Sequence, residues 1–332
     1  MRKKILITGV AGFIGSALTL KLLEQYENIE IVGIDNMNDY YDIDLKKYRL
    51  NKIKKYQNFK FIKCNIADKE KLEKIFSENE FDTIVNLAAQ AGVRYSVIAP
   101  DTYIESNIVG FYNILEECRK YRINHLIYAS SSSVYGDNKK VPYSEDDKTD
   151  YPVSLYAATK KSDEIIAYSY SKLYDLNVTG LRFFSVYGPA GRPDMAYFSF
   201  TNKLVKGEKI QIFNYGKCKR DFTYIDDVVD AIIKVIKRKP NTKYKIYNIG
   251  SEHPIKLMDF VNTLVKELKK ENVLSKDFNI NNYMEFIEKQ PGDVEKTYSD
   301  TTNFEKDYNY KPKTTLKKGL NTFAKWYKEY YK

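Results

Sequence analysis

The sequence contains few histidines and cysteines and no long apolar stretch. Its two histidines, His125 and His253, are far apart and outside any metal-binding motif, so we expect no metal site and no histidine-based triad. Cys64, Cys118 and Cys218 form an odd set without metal-ligand spacing, which favours a reducing, cytoplasmic location. No apolar run of about 18 residues predicts a transmembrane helix, and the first residues lack a signal-peptide pattern.

The chain also lacks a block of arginines. Its 332 residues carry a formal net charge of +10, a property that many nucleic-acid-binding proteins share. Here the lysines are scattered singly among acidic residues, tyrosine and asparagine, which is typical of a solvated surface. We therefore expect no nucleic-acid partner and no membrane partner. A basic cleft would nevertheless suit a substrate that carries a diphosphate.

The first fifteen residues contain a glycine fingerprint. The apolar run at 5–7 predicts a buried parallel strand, and Gly9, Gly12 and Gly15 follow it directly. The segment 16–24 then predicts a helix. Glycines in this context let the backbone turn tightly, approach a pyrophosphate and aim the free N–H groups of the helix at that anion. The pattern therefore predicts dinucleotide binding.

A carboxylate after the second strand indicates which dinucleotide binds. The strand predicted at 29–35 ends in Asp35, about 20 residues after Gly15, where the fingerprint places an acid for the ribose hydroxyls. A carboxylate at this point repels a 2′-phosphate. The sequence thus favours NAD over NADP.

Strands and helices alternate through the first half of the chain. Further strands are predicted at 59–64, 83–88, 125–130 and 177–183, and helices near 69–77, 102–122 and 154–174. Repeated βα units predict an α/β fold with a Rossmann-like, doubly wound parallel sheet, whose ligands bind at the carboxyl ends of the strands.

The rhythm loosens after about Pro189. Short strands are predicted at 210–213 and 244–249, and helices at 226–238, 256–270 and 316–331. We therefore divide the chain into a dinucleotide-binding domain, 1–188, and a smaller C-terminal α/β part, 189–332, that caps a cleft. Later segments are allowed to return to the first domain.

A tyrosine and a lysine follow a serine-rich strand end. The fifth strand leads into four serines, 130–133, and the next helix carries Tyr156 and Lys160, which share one helix face. An ammonium near a phenol lowers the phenol's pKa from about 10, so Tyr156 suits a general base. Only this pair opens the helix after the serines, although the spacing recurs at Tyr48/Lys52, Tyr56/Lys60, Tyr135/Lys139, Tyr168/Lys172 and Tyr215/Lys219.

The glycine fingerprint, the serine cluster and the Tyr156/Lys160 pair together resemble the extended short-chain dehydrogenase/reductase family. Within that family the chain looks most like the nucleotide-sugar 4-epimerases, and among these the UDP-glucuronate 4-epimerases. The more specific matches are 35–42 and 191–196. More widely shared matches lie at 130–136, 182–189, 220–227 and 290–294.

The resemblance implies roles for individual residues. Tyr156 would be the base, Lys160 its electrostatic partner, and Ser131 the hydroxyl bonded to the sugar O4. Asn65 and Ile66 would flank the adenine, although relatives often carry Asp at the first of these positions. The residues that would hold NAD are Gly9, Gly12, Phe13, Ile14, Gly15, Asp35, Asn36, Asn65, Ile66, Ala88, Ala89 and Lys160.

The resemblance also implies a set of substrate contacts. Arg220 would pair with the UDP diphosphate, and Asp293 would touch the uridine side. Short hydroxyl donors and a possible cationic clamp, Arg192, would hold a sugar carboxylate. Serines at a strand end also satisfy local backbone groups, so that reading stays open for Ser132 and Ser133. The substrate set is Arg94, Ser132, Ser133, Ser185, Arg192, Arg220 and Asp293.

The implied activity is an NAD-dependent inversion at C4 of a UDP-sugar, most simply UDP-glucuronate to UDP-galacturonate, through a transient 4-keto intermediate. This would be an isomerase of carbohydrate metabolism and polysaccharide biosynthesis, with tightly bound NAD. The resemblance further suggests a homodimer formed through helices 102–122 and 154–174.

Other activities of the family remain open. A 4,6-dehydratase would carry Asp and Glu at the positions of Ser132 and Ser133, so dehydration is disfavoured. A UDP-glucose or UDP-N-acetylglucosamine 4-epimerase and a UDP-glucuronate decarboxylase remain as alternatives. A non-catalytic, nucleotide-sensing or RNA-associated Rossmann protein is the alternative from another class.

Overall fold

The computed structural model describes residues 3–289 and 294–331. Its strands are β1 Lys3–Thr8, β2 Ile29–Asp35, β3 Phe59–Lys63, β4 Thr83–Asn86, β5 His125–Ser131, β6 Val178–Phe183, β7 Ser185–Tyr187, β8 Ile210–Phe213, β9 Lys219–Tyr224, β10 Tyr244–Ile249, β11 Pro254–Lys256 and β12 Met284–Ile287. Its α-helices are α1 Phe13–Gln25, α2 Ile43–Ile53, α3 Lys69–Ser77, α4 Tyr95–Ile98, α5 Pro100–Tyr103, α6 Gly110–Lys120, α7 Leu155–Tyr174, α8 Ala196–Val205, α9 Ile225–Lys237, α10 Leu257–Lys270, α11 Thr302–Tyr308 and α12 Leu316–Tyr330.

Seven strands form one parallel sheet in the order β10-β6-β5-β4-β1-β2-β3. Helices cover both faces, so the central strands are apolar on both sides. In β1, Ile5 and Ile7 belong to one hydrophobic core and Leu6 to the other, and none of the three is exposed. The predicted Rossmann-like, doubly wound fold is therefore confirmed.

The C-terminal part contributes to both the sheet and the cleft. β10 pairs with β6 at the edge of the large sheet, and α9 packs against α1. Two small sheets, β11-β9-β7 and β12-β8, complete the strand pairing among the described residues. The predicted division after residue 188 stays a prediction, since the first core includes side chains from both sides of it.

The helix predicted at 102–122 is interrupted by a π-helical segment, Ile104–Val109, between α5 and α6. Asn107 in this segment is buried, and its amide bonds the backbone of Gln90 through both Oδ1 (2.8 Å) and Nδ2 (3.0 Å). A π turn inserts one extra residue into a helix and often lies at a functional site. Here it directs a polar side chain to the loop after β4.

Residues 3–289 and 294–331 contain neither a membrane-spanning helix nor a cluster of metal-binding side chains. No helix there combines the length and apolar character that crossing a membrane requires. The same residues contain no cluster of three or more histidine, cysteine or carboxylate side chains suited to a metal ion.

Candidate active site

A cavity of about 430 Å³ lies at the carboxyl ends of the parallel strands. The loops after β1 through β6 all contribute to its lining. The strand order reverses between β1 and β4, and open α/β sheets bind their ligands in the crevice at this switch point. All twelve residues predicted to hold the cofactor line this cavity, although their contact with NAD stays a prediction.

The glycine turn forms a cradle that a side chain would fill. Gly9 has φ +67°, and a Cβ there would approach the backbone nitrogen of Ala88 to 2.9 Å. A Cβ on Gly15 would collide with the carbonyl oxygen of Gly9. Gly12 caps α1 without a side-chain hydrogen bond, and the first turn carries no acid. The N–H groups at this end of α1 therefore suit a pyrophosphate.

Asp35 is held rigidly at the end of β2. Its Oδ2 accepts a hydrogen bond from Ala11 N (3.0 Å) and its Oδ1 from Met37 N (2.8 Å). Each oxygen keeps a further lone pair, as the ribose hydroxyls of NAD require. Nearby, Lys46 donates to the Asn38 carbonyl (2.7 Å) and lines the same cavity. Burial lowers the pKa of Lys46, while the Asp35 carboxylate acts to raise it.

Arg49 joins the glycine turn to a distant loop. Its Nη1 donates to the Ala11 carbonyl (3.0 Å) and to the Tyr41 hydroxyl (2.6 Å). Its Nε and Nη2 donate to the carbonyls of Ala190 (2.9 Å) and Gly191 (2.7 Å). The guanidinium is 2% exposed. One buried side chain thus holds both the cofactor turn and the loop that leads into Arg192.

The predicted adenine side is formed by Asn65 and Ile66. Asn65 Oδ1 accepts from Ala67 N (3.1 Å), and its Nδ2 donates to Glu105 Oε1 (2.8 Å). Ile66 packs so closely on Gly110 that a Cβ there would lie 2.6 Å from it. The asparagine therefore bonds the π-helical segment, a contact between segments that the sequence did not indicate.

The three predicted catalytic residues meet in this cavity. Ser154 caps α7 by accepting from Ala157 N (3.1 Å), which places Tyr156 in the first turn and Lys160 one turn later. The Tyr156 ring packs edge-on against Tyr103, with centroids 6.1 Å apart. Lys160, Tyr156 and Ser131 all line the cavity.

A buried polar network fixes the end of β5. Ser130 donates to Glu164 Oε1 (2.6 Å), and Arg182 forms a two-point ion pair with Glu164 at 2.8 and 2.9 Å. Ser131 Oγ accepts from Ser133 N (3.1 Å) and donates to Ser133 Oγ (3.1 Å). Ser130 and Ser131 therefore satisfy buried polar groups at the end of β5, and both also line the cavity.

The predicted substrate residues divide into three groups. Ser132, Ser133 and Ser185 line both the main cavity and an adjoining one of about 160 Å³, which also includes Arg220. Arg94 lies outside the lining of both cavities, and its guanidinium is 4.0 Å from the centroid of the Phe213 ring. Asp293 and most of the 290–294 motif lie outside the described residues.

Arg192 lines the main cavity and is gripped by Asp194. Its Nε lies 3.0 Å from Asp194 Oδ1 and its Nη2 2.5 Å from Oδ2. Tyr40 donates to the same Oδ2 (3.3 Å). Burial acts to raise the pKa of Asp194, but the Arg192 guanidinium holds it below its usual value. The pair therefore stays charged, with the guanidinium plane fixed.

Lys46, Arg49, Tyr40 and Asp194 are functional candidates that sequence reasoning missed. Lys46 and Arg49 lie on α2, which was not predicted because buried charges break its apolar pattern. The available signal was Asp42, which caps α2 by accepting from Asp44 N (2.8 Å).

A dinucleotide cradle beside a serine, a tyrosine and a lysine defines a class of enzyme that oxidises and reduces a hydroxyl-bearing substrate. The chain belongs to the NAD dependent epimerase/dehydratase family, whose model matches residues 5–250.

Three known proteins illustrate the similarity. Protein CapI of Staphylococcus aureus is 50% identical, with 99% of each chain covered. UDP-glucuronate 4-epimerase 4 of Arabidopsis thaliana is 42% identical, covering 98% of this chain and 76% of that protein. The crystal structure of UDP-glucuronic acid 4-epimerase from Bacillus cereus, in complex with UDP-glucuronic acid and NAD, is 32% identical. It has a TM-score of 0.89 and covers 99% of this chain and 100% of that one.

Proposed function

We propose that the chain is an NAD-dependent UDP-glucuronate 4-epimerase that produces UDP-galacturonate. The observation that carries this proposal is one cavity that joins the glycine cradle, the Ser131/Tyr156/Lys160 set and Arg192. Similarity to two UDP-glucuronate 4-epimerases supports it. In this proposal residues 1–188 mainly hold NAD and residues 189–332 mainly hold the nucleotide sugar.

The catalytic residues act on the sugar 4-hydroxyl. NAD, when bound, supplies a hydride acceptor and donor at sugar C4. Tyr156 takes the proton from the 4-hydroxyl, Ser131 hydrogen-bonds O4, and the Lys160 ammonium favours the phenolate. After the 4-keto sugar rotates in the pocket, the opposite face of C4 lies toward the cofactor position, so that return of the hydride inverts C4, and Tyr156 returns the proton to O4. Residues that grip the diphosphate, with Arg220 as the candidate, permit this turn by leaving the sugar loosely held.

The carboxylate of glucuronate allows the 4-keto intermediate to lose carbon dioxide. The 4-keto form of glucuronate is a β-keto acid, which loses carbon dioxide when the bond to the carboxylate aligns with the carbonyl π system. Arg192 presents a fixed guanidinium, and Ser185 presents a hydroxyl to the same cavity. We assign them to holding the carboxylate out of that alignment. The neutral Ser132 and Ser133 supply no acid or base for dehydration.

Product analysis by proton NMR tests the proposed function. Purified protein is incubated with UDP-glucuronate and no added NAD. A stable mixture with UDP-galacturonate, formed without release of carbon dioxide, is the expected result. A UDP-pentose would identify a decarboxylase, and turnover of UDP-glucose alone would identify the neutral-sugar epimerase instead.

Asp35→Asn is expected to weaken the hold on NAD. The substitution leaves an amide N–H facing either Ala11 N or Met37 N, and an unsatisfied buried donor costs about 1–3 kcal/mol. NAD occupancy after purification should fall about tenfold or more, as measured by the ratio of nucleotide absorbance to protein absorbance. Turnover should then require added NAD. Retention of full NAD occupancy would contradict the assignment.

We also propose a homodimer formed through α6 and α7 with the segment before α6. Apolar side chains on these elements are exposed, notably Val109 and Tyr112 at the start of α6 and Ile165 and Leu173 on α7. Leu173 is 72% exposed and is one of several exposed apolar side chains on these two neighbouring helices, and such groups mark interaction surfaces. Pairing the two helices with those of a second copy would cover this face.

We also propose that the protein is cytoplasmic, because the buried, unpaired thiols of Cys64 and Cys118 suit a reducing compartment.

Ile165→Lys is expected to shift the protein from dimer to monomer. A lysine ammonium at the centre of an apolar interface is desolvated without a partner, which costs several kcal/mol. Light scattering coupled to size-exclusion chromatography measures the mass. Val205→Lys, on an exposed side chain of α8, is the matched control. A wild-type monomer, or an unchanged dimer in Ile165→Lys, would overturn the proposed interface.

A further inference from the structure

Asp163 is a buried carboxylate that the proposed reaction does not use. It lies on α7, three residues after Lys160, and is 1% exposed. Its Oδ2 accepts a hydrogen bond from Lys160 Nζ (3.1 Å). Its Oδ1 is buried with no hydrogen-bond partner among the described residues. A carboxylate in this position is costly, because desolvation is only partly repaid by one ion pair.

The neighbouring Glu164 shows what a structural carboxylate in this helix looks like. Both of its oxygens are bonded, to Ser130 and to the Arg182 guanidinium. Asp163 instead forms one ion pair among the described residues, with Lys160. The only ion-pair partner that compensates the burial of Asp163 among the described residues is therefore the Lys160 ammonium, the same group that favours the Tyr156 phenolate.

The two charges beside Tyr156 oppose each other. The Lys160 ammonium stabilises the phenolate, whereas a carboxylate 3.1 Å from that ammonium destabilises it. We propose that Asp163 is a positioning residue, which fixes the Lys160 ammonium and moderates its effect on Tyr156. The proposal rests on the roles given to Tyr156 and Lys160 and is independent of which sugar is bound.

The surroundings of Asp163 make this moderation sensitive to pH. Burial raises the pKa of Asp163 to about 7 against the opposing effect of Lys160, and the charge of Glu164 contributes to this increase. Tyr128, on the strand β5 beneath α7, is a further titratable group that senses the Asp163 charge. As the pH rises through neutrality, Asp163 loses its proton, and its negative charge begins to offset the positive charge of Lys160. The charge of Asp163 is thus coupled to the charge that develops at the active site, so the pH profile of the wild type should be broader than that of a variant without this carboxylate.

The test compares Asp163→Asn with the wild-type holoenzyme. Asparagine keeps an oxygen that accepts from Lys160 but removes the charge. The acid limb of the pH profile of kcat/KM should move to lower pH by about 0.5 to 1 unit and become steeper. Asp175→Asn, the same substitution at the exposed end of the same helix, should leave the profile unchanged. Superimposable profiles for Asp163→Asn and wild type would overturn the proposal.

Two further measurements separate positioning from a purely structural role. The first is Asp163→Ala, which removes the acceptor as well as the charge and should lower kcat beyond the effect of Asp163→Asn. If both variants lose thermal stability and activity equally at every pH, Asp163 is merely structural.

The second measurement does not depend on the sugar. Tyrosinate absorbance is followed against pH, and Tyr156 is isolated by subtracting the Tyr156→Phe protein. The Tyr156 pKa should be lower in the Asp163→Asn background than in the wild-type background, and an equal or higher value would overturn the proposal. This result stands even if UDP-glucuronate proves to be the wrong substrate.

Discussion

Tyr156→Phe is expected to reduce kcat by at least about 10³-fold, within the range that general acid–base catalysis contributes. The substitution removes the hydroxyl that we propose exchanges a proton with O4, and it keeps the ring that packs on Tyr103. Binding of UDP-glucuronate, measured by calorimetry, should change little. The expected signature is therefore a loss in kcat with nearly constant affinity.

The chain offers a matched control for this variant. Tyr168 and Lys172 repeat the spacing of Tyr156 and Lys160 on the same helix, with the ammonium 5.5 Å from the ring centroid. They lie away from the cavity lining, so Tyr168→Phe should leave turnover unchanged. Full turnover in Tyr156→Phe would overturn the assignment of Tyr156 as the base.

Arg192→Met is expected to lower epimerisation about 100-fold and to divert product toward carbon dioxide and a UDP-pentose. Methionine keeps an unbranched apolar stem but has no donor, and charge-assisted hydrogen bonds contribute about 1.5–3 kcal/mol. Without the guanidinium, the carboxylate is free to align with the C4 carbonyl. Nucleotide products are separated by chromatography, and carbon dioxide is quantified from substrate labelled at the carboxyl carbon.

Arg192→Lys distinguishes charge from geometry. Lysine retains the positive charge but lacks the planar fork that meets both oxygens of Asp194. It should recover affinity for UDP-glucuronate while still releasing more carbon dioxide than wild type. If Arg192→Met turns over normally and releases none, Arg192 does not hold the carboxylate.

The features predicted best from sequence were those encoded by local backbone geometry. Gly9 and Gly15 are recognisable because any side chain would collide with neighbouring backbone, and Asp35 stands at a fixed distance along the same βα unit. Tyr156 and Lys160 were singled out by their place after a serine-rich strand end. In each case the signal lies within a short stretch of chain.

Features that depend on distant partners were not predicted. Arg49 bonds Ala190 across 141 residues, and no local pattern signals such a contact. Asn107 turns inward because its partner is the loop at Gln90, so helical periodicity missed the π turn. Arg94 was expected at the substrate, yet it lies over Phe213 outside the lining of both cavities, because order along the chain does not give side-chain direction.

The four hydrogen bonds of Arg49 connect the glycine turn, where we propose that NAD binds, to the loop that leads into Arg192, where we propose that the sugar binds. A graft that exchanges the loop around Ala190 and Gly191 for that of an enzyme acting on another sugar would also change what holds Ala11 in the glycine turn. Under the proposed roles, sugar preference and cofactor retention therefore depend on the same buried side chain. A redesign of sugar preference would therefore have to exchange α2 together with the loop. If only the loop is exchanged, we expect the redesigned protein to bind NAD less tightly.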